Sequence, residues 1–322
     1  MTYRTGSGLA LLVGFSFLGC GGGSGTNGNG DGGNSIDSST TVDAEVMPPN
    51  SKMVRLLSAP FSIPAGQEFY QCTRVNATEQ LDVLKIIPVS PNGVHHEVFA
   101  VDPTKAAEGT SQADCGPIGF DWKPLFASGV NSPSLSMPPG VSLRIGNGEQ
   151  MVLNLHLYNA TGSTITGTAA LDALVSTDPT GLEIAGVPFI GPPPIGQRIP
   201  AGLMMSDRCK LSRDTKFFAV FPHMHKHGRH IKIWAQPAGG TEQVVWDRDY
   251  DFQDQTFGSF APMQLRAGDF IHVACTYDSG GANLELGDRT DQEMCFAISY
   301  VVPAVATLMS SPFCSCSTPL GC

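Results

Sequence analysis

At 322 residues the chain is long enough for two domains of ordinary size, each with its own core. Charged residues make up only 15 %, against 37 Gly and 24 Pro, a balance that suits a turn-rich β protein and argues against a helical one. A net charge of −10 gives no reason to expect nucleic acid or an anionic membrane surface as a partner.

The chain opens on a processing segment. Arg4 supplies a short positive region, and Leu9 to Leu18 is an apolar run too short to span a bilayer. It ends in Phe17-Leu18-Gly19-Cys20, which resembles a bacterial lipoprotein signal, so residues 1–20 are expected to be removed up to Cys20 and that cysteine lipidated. The Gly/Asn/Ser-rich stretch that follows, 21–52, cannot form a core and reads as a flexible tether. The folded part is then expected to be exported and held by lipid on the bacterial cell envelope, facing the periplasm or the outside. Setting Cys20 aside leaves eight of nine cysteines, an even number that predicts four disulfides in an oxidising compartment.

From about Ser51 the composition becomes globular. Short β-rich runs recur ("LDVLKIIPV", "HHEVFAV", "VSLRIG", "MVLNLHLYN", "KFFAVFPHMH", "DFIHVACTY", "FAISYVV"), separated by turn clusters such as "SPNG", "GNGEQ" and "DSGGAN". No window has a convincing helical period. The pattern predicts an all-β fold of two antiparallel sandwiches. A Pro- and Gly-rich interval, 186–202, marks the junction between a first domain over 53–182 and a second over 183–322.

The histidines raise the question of function. His95 and His96 are neighbours, and on a regular strand neighbours point to opposite faces, so both serve one site only if the backbone is irregular there. In "MVLNLHLYN", Met151, Leu153, Leu155 and Leu157 line a core face, and His156 points away from it, toward solvent or a cleft. His223 and His225, spaced i, i+2, share a face, the simplest two-ligand chelate a strand offers. His227 and His230 follow closely, and His272 stands alone; single histidines are more often surface or hydrogen-bonded groups than ligands. An HxHxDH run would mark a zinc metallohydrolase, but His227 stands at its Asp position.

Six segments taken in order resemble the copper type II, ascorbate-dependent monooxygenases, the family of peptidylglycine α-hydroxylating monooxygenase and dopamine β-monooxygenase. They are "HHEVFAV", "PPGVSLRIGNGEQMVLNLHLYNAT", "IAGVPFIGPPPIGQRIPAG", "HMHKHG", "AGDFIHVACTYDSGG" and "DQEMC", spread over most of 53–316. The resemblance implies two jelly-roll-like sandwiches facing across an open cleft, with one copper each. His95, His96 and His156 would hold the first copper; His223, His225 and Met294 would hold the second and carry the oxygen chemistry. A thioether is a soft donor that suits Cu(I) and attracts zinc little. The implied disulfides are Cys72–Cys115, Cys209–Cys314 and Cys275–Cys295, with Cys316–Cys322 as a terminal loop; two that the animal hydroxylases carry in the first domain have no cysteines here.

The implied reaction turns a C–H bond of a small-molecule or peptide-like substrate into C–OH with O2, and ascorbate or another reductant reloads both coppers. No nucleic acid is expected, and the chain is expected to be a monomer. The alternatives are a copper-binding lipoprotein without turnover and, further off, a zinc metallohydrolase. Amidating members hold a peptide carboxylate with an Arg and a Tyr at positions occupied here by Phe221 and Ile298, and an Asn is replaced by Phe296. No bidentate carboxylate anchor remains.

Overall fold

The computed structural model describes residues 47–112, 115–116, 119, 121–129, 132–192, 198–287, 289, 291–305 and 313–316. The signal segment, Cys20, the tether up to residue 46 and Cys322 lie outside the described residues. Every regular element among those described is a strand. The fold is all-β, as the alternating runs and turn clusters predict.

Two sheets make the first half. One has the order Ser51–Ile63, Ile165–Ser176, Leu81–Val89, Val141–Ile145, Glu183–Ile184, with Leu135–Ser136 also paired to Leu81–Val89. The other runs Gly109–Ser111, Glu68–Asn76, Gln150–Tyr158, Val94–Asp102, Lys123–Gly129. Apart from the short Glu183–Ile184 pairing, their ladders are antiparallel. Their facing side chains (Leu57, Ile86, Leu143, Leu153 and Leu171 among them) form one apolar layer. Arg55 and Asp172 pair across the outer face of the first sheet, and Cys72–Cys115 ties the edge of the second.

The second half repeats the plan with a five-stranded sheet, Gly258–Leu265, Thr215–His223, Phe296–Val302, Phe189–Ile190, Phe313–Cys314, and a four-stranded one, Met205–Lys210, Phe270–Tyr277, Gly228–Gln236, Gln243–Asp249. Ile231, Ile233, Ile271 and Val273 point inward from the four-stranded sheet, while Lys232, Trp234 and His272 alternate outward. Cys209–Cys314 and Cys275–Cys295 are disulfide-bonded. Cys316 is disulfide-bonded too; its expected partner, Cys322, is outside the described residues.

The five-stranded sheet is buried on both faces. Along Phe296–Val302, Ala297 and Val301 pack into the second half's own core, whereas Phe296, Ile298, Tyr300 and Val302 pack into the core of the first half. That double burial is why "KFFAVF" and "FAISYVV" read as continuous apolar runs and do not alternate. A hydrogen bond crosses the same contact, from the Ala127 N–H to the Tyr300 hydroxyl at 3.3 Å. Gly129 is required there, because a Cβ at that position would run into the Gln255 carbonyl oxygen.

Candidate metal centre

The first donor set arises from an irregular strand. Val94 pairs with Leu157 and His96 with His156, so two steps on one strand match a single step on the other. His95 is the extra residue of this bulge, and the bend lets adjacent histidines reach one place. His156 lies directly opposite His96 in the ladder. The sequence sends His156 toward solvent or a cleft; in the structure it is only 1 % exposed. Its face is covered because Tyr70, its partner on the other neighbouring strand, stacks on it at 4.6 Å between ring centroids.

The Nδ1 of His96 lies 3.3 Å from the Nδ1 of His95 and 3.3 Å from the Nδ1 of His156. Three nitrogens each about 2.0 Å from one ion, in tetrahedral or trigonal array, lie about 3.3–3.5 Å apart. The spacing therefore fits a single metal ion. The second nitrogen of His156 supports this: its Nε2–H donates to Glu68 Oε1 at 2.8 Å, leaving the Nδ1 lone pair directed inward.

The second set hangs from the end of the Thr215–His223 strand and the turn after it. His223 donates from Nδ1 to Gln255 Oε1 at 2.9 Å, and His225 from Nδ1 to the Gln292 carbonyl at 3.3 Å, so each keeps Nε2 free as a donor. Their rings stand 5.2 Å apart at 88°. Between them Met224 turns into the opposite core, its backbone held at both ends by the Tyr250 hydroxyl. Gly228 closes the turn; a Cβ there would stand 2.9 Å from Met224 and Tyr250 atoms. Met294 is 4 % exposed and borders the same small cavity as His223 and His225. The segment that carries it, just ahead of the Phe296–Val302 strand, is tied by Cys275–Cys295 and by the Tyr277 hydroxyl, which donates to the Met294 carbonyl at 3.2 Å.

Glu293 joins the turn to the methionine. Its two carboxylate oxygens accept the His227 N–H at 2.7 Å and the His225 N–H at 3.1 Å. Burial pushes its carboxyl up to about 7, against the pull of those amides. Replacing Glu293 with Gln sets an amide donor against at least one of the two N–H groups. The metal affinity of the His223/His225/Met294 set is expected to fall about 10- to 100-fold, as for other groups that orient ligands. A Cu(I) competition titration measures it; unchanged affinity would show that the carboxylate positions nothing.

The family resemblance implies two donor sets facing each other across an open cleft. In the structure they abut: the rings of His96 and His223 lie 5.6 Å apart. Burial, followed by the neighbouring histidine charges, pushes His95 down to about 4; burial pushes His223 to about 4 and His225 to about 3. His96 and His156 are lowered as well, chiefly by burial. All five imidazoles are therefore neutral at pH 7, with lone pairs available to a metal, and the donor set of imidazoles and one thioether without thiolate suits copper. The Nε2 of His95 is buried without a hydrogen-bond partner, and that ring packs on Phe252 at 4.4 Å.

His227 and His230 stay outside the cluster. His230 meets Asp247 at 3.1 Å on the outer face, and His272 stacks on Trp234 on that same sheet. Glu68, Gln255 and Tyr70 carry no local sequence signal. They matter only through register and through contacts that long loops bring about.

Comparison with known families joins this geometry to a chemistry. Residues 198–319 match the model for the copper type II ascorbate-dependent monooxygenase, C-terminal domain, a span that holds His223, His225 and Met294. The match places this stretch, and not the residues before it, with the copper type II ascorbate-dependent monooxygenases. That family is copper-dependent and ascorbate-dependent, which agrees with a donor set of imidazoles and a thioether. No curated protein matches the chain. Among solved structures, a Bacteroides ovatus protein assigned as an alpha-L-fucosidase is 11 % identical with a TM-score of 0.18, over 74 % of this chain and 38 % of its own. A Penaeus vannamei nodavirus chain is 11 % identical with a TM-score of 0.19, over 77 % of this chain and 89 % of its own. This chain thus spans 38 % of the fucosidase chain, and at these scores neither likeness carries an argument.

Proposed function

We propose that the chain is a copper-dependent monooxygenase that hydroxylates a C–H bond of a small organic substrate, holding two coppers. The overall change is R–H, O2, two electrons and two protons to R–OH and water, with ascorbate or a like reductant as electron source. The observation that carries this reading is the convergence of the His95, His96 and His156 Nδ1 atoms beside a second set that contains a thioether. Copper in such sites would supply one-electron redox chemistry and O2 activation; the thioether of Met294 favours its reduced form.

The chain's own groups select what enters. The cavity beside Met294 holds about 40 Å³ and is walled by Val98, Phe189, Phe221, Phe296 and Ile298. That is room for little more than one water-sized molecule, so O2 or a methyl group fits, and Phe296 and Ile298 must shift for anything larger. Nothing in this wall pairs with a carboxylate, which favours an uncharged C–H donor over a glycine-extended peptide. The deciding experiment is metal content and oxygen uptake of the purified chain with ascorbate, screened over small aliphatic, aromatic and peptide C–H donors. Two coppers per chain and a hydroxylated uncharged product are expected. Preferential zinc uptake with ester hydrolysis would favour a metallohydrolase, and copper without product a non-catalytic binder.

The envelope anchor belongs to the same proposal, supported by Cys20 and the Gly-rich stretch behind it. Cys20→Ser is expected to release the protein from the membrane fraction into the soluble one. A wild-type chain that is already soluble would end this reading.

A further inference from the structure

Two spaces of opposite character flank the histidine cluster. On the methionine side lies the small, largely apolar cavity of about 40 Å³. On the other side an open groove of about 580 Å³ is lined by His95 and His156, with Glu68 and Tyr158 from the first sandwich and Lys226 and Arg289 from the second. We infer that this groove is the docking site of the reductant, a small polar organic anion of the ascorbate class, and that Lys226 and Arg289 meet its negative charge. The inference rests on the monooxygenase reading and adds where its second small molecule binds.

Size and polarity make the first argument. A hydrophilic anion cannot occupy the methionine cavity, where it would have neither room nor a partner for its charge. The groove falls within the usual volume of a small-molecule site, about 300–1,000 Å³, and it is open to water. The two reactants thus have separate entrances, set by chemistry on either side of the His96–His223 contact.

Charge makes the second. Glu68 is engaged by His156 Nε2 at 2.8 Å. Asp291 is held by Arg289 through bonds of 2.8 and 3.1 Å. Lys226 is exposed, in the turn between His225 and His227, and faces the groove. The two cations balance these two acids in formal charge; with Asp291 taken up by Arg289, Lys226 is the cation placed to meet an anionic ligand, on a chain whose net charge is −10. The guanidinium of Arg289 retains further N–H donors beyond those that Asp291 takes.

The floor makes the third. Phe252 packs on His95 at 4.4 Å, and Tyr70 stacks on His156 at 4.6 Å. A flat, conjugated ring such as the enediolate lactone of ascorbate can lie on this surface, next to the rings of the first donor set.

The test uses the metal-free full-length folded chain, which cannot consume the probe through copper. Ascorbate is titrated into it without oxygen and followed by calorimetry, with hippurate as a non-reducing carboxylate and a small apolar C–H donor as competitors. Saturable ascorbate binding is expected. It should weaken about tenfold or more in Lys226→Glu, the scale of one charge-assisted hydrogen bond, and by less in Arg289→Gln. Both side chains are exposed, so both variants should fold and still take up copper when it is supplied. Ascorbate affinity unchanged in both variants would overturn the inference. So would hippurate binding in the groove more tightly than ascorbate, which would mark an anionic substrate site, or displacement of ascorbate by the apolar donor. A wild type that binds no copper would overturn the monooxygenase reading alone, since the ascorbate titration is read without metal.

Discussion

Met294→Ile is expected to abolish hydroxylation while leaving the fold and the first donor set intact. Met294 is buried beside His223 and His225, and the chain is pinned by Cys275–Cys295 one residue later. Isoleucine is close in volume and apolar, and swaps of this kind usually cost under about 1.5 kcal/mol. The loss is chemical. Two imidazoles without the thioether hold Cu(I) more weakly and lose the soft donor that distinguishes copper from zinc. Turnover should fall by more than the roughly 10- to 100-fold typical of changes that only orient a ligand. Copper counts, circular dichroism and product assays together decide it. Full activity in the variant would remove Met294 from the centre.

His156→Ala should remove the first copper and stop turnover as well, by a different route. The substitution takes one of the three converging Nδ1 atoms and leaves Glu68 without the imidazole it orients. It also takes away the ring on which Tyr70 stacks. As a large-to-small change at a buried site it is expected to cost a few kcal/mol, about 2–4 by comparison with other core truncations. The second set touches the first through His96 and not through His156, so it should keep its ion. One copper per chain, with loss of multiple turnover, is the expected result. Loss of both ions would mean that the 5.6 Å approach of His96 and His223 makes one indivisible centre.

Much of this centre was legible in the residues. Period-two alternation placed Leu153, Leu155 and Leu157 in the core and His156 on the other face, and adjacent His95 and His96 required the irregular strand that the register shift supplies. The spacing of His223 and His225 survives as two donors on one side of Met224. What was not legible is everything that depends on how the two halves meet. An open cleft follows from the family resemblance; the contact of the histidine rings depends on the packing of Phe221, Phe296 and Tyr300 against the first half, which no local pattern encodes. Gln255 and Glu68 reach their histidines from 32 and 88 residues away, so their roles emerge only with the chain folded.

The strand Phe296–Val302 serves two cores at once, and this bears on how such a protein could be rearranged by recombination. The stretch that matches the family domain looks like a portable unit in sequence. Cut free, it would present Phe296, Ile298, Tyr300 and Val302 to water as a bare apolar row. Shuffling it onto a different neighbour would need a matching surface in the place of Phe126 and Ala127. The two halves are therefore bound to be inherited together, and substitutions on one side of the seam must be answered on the other.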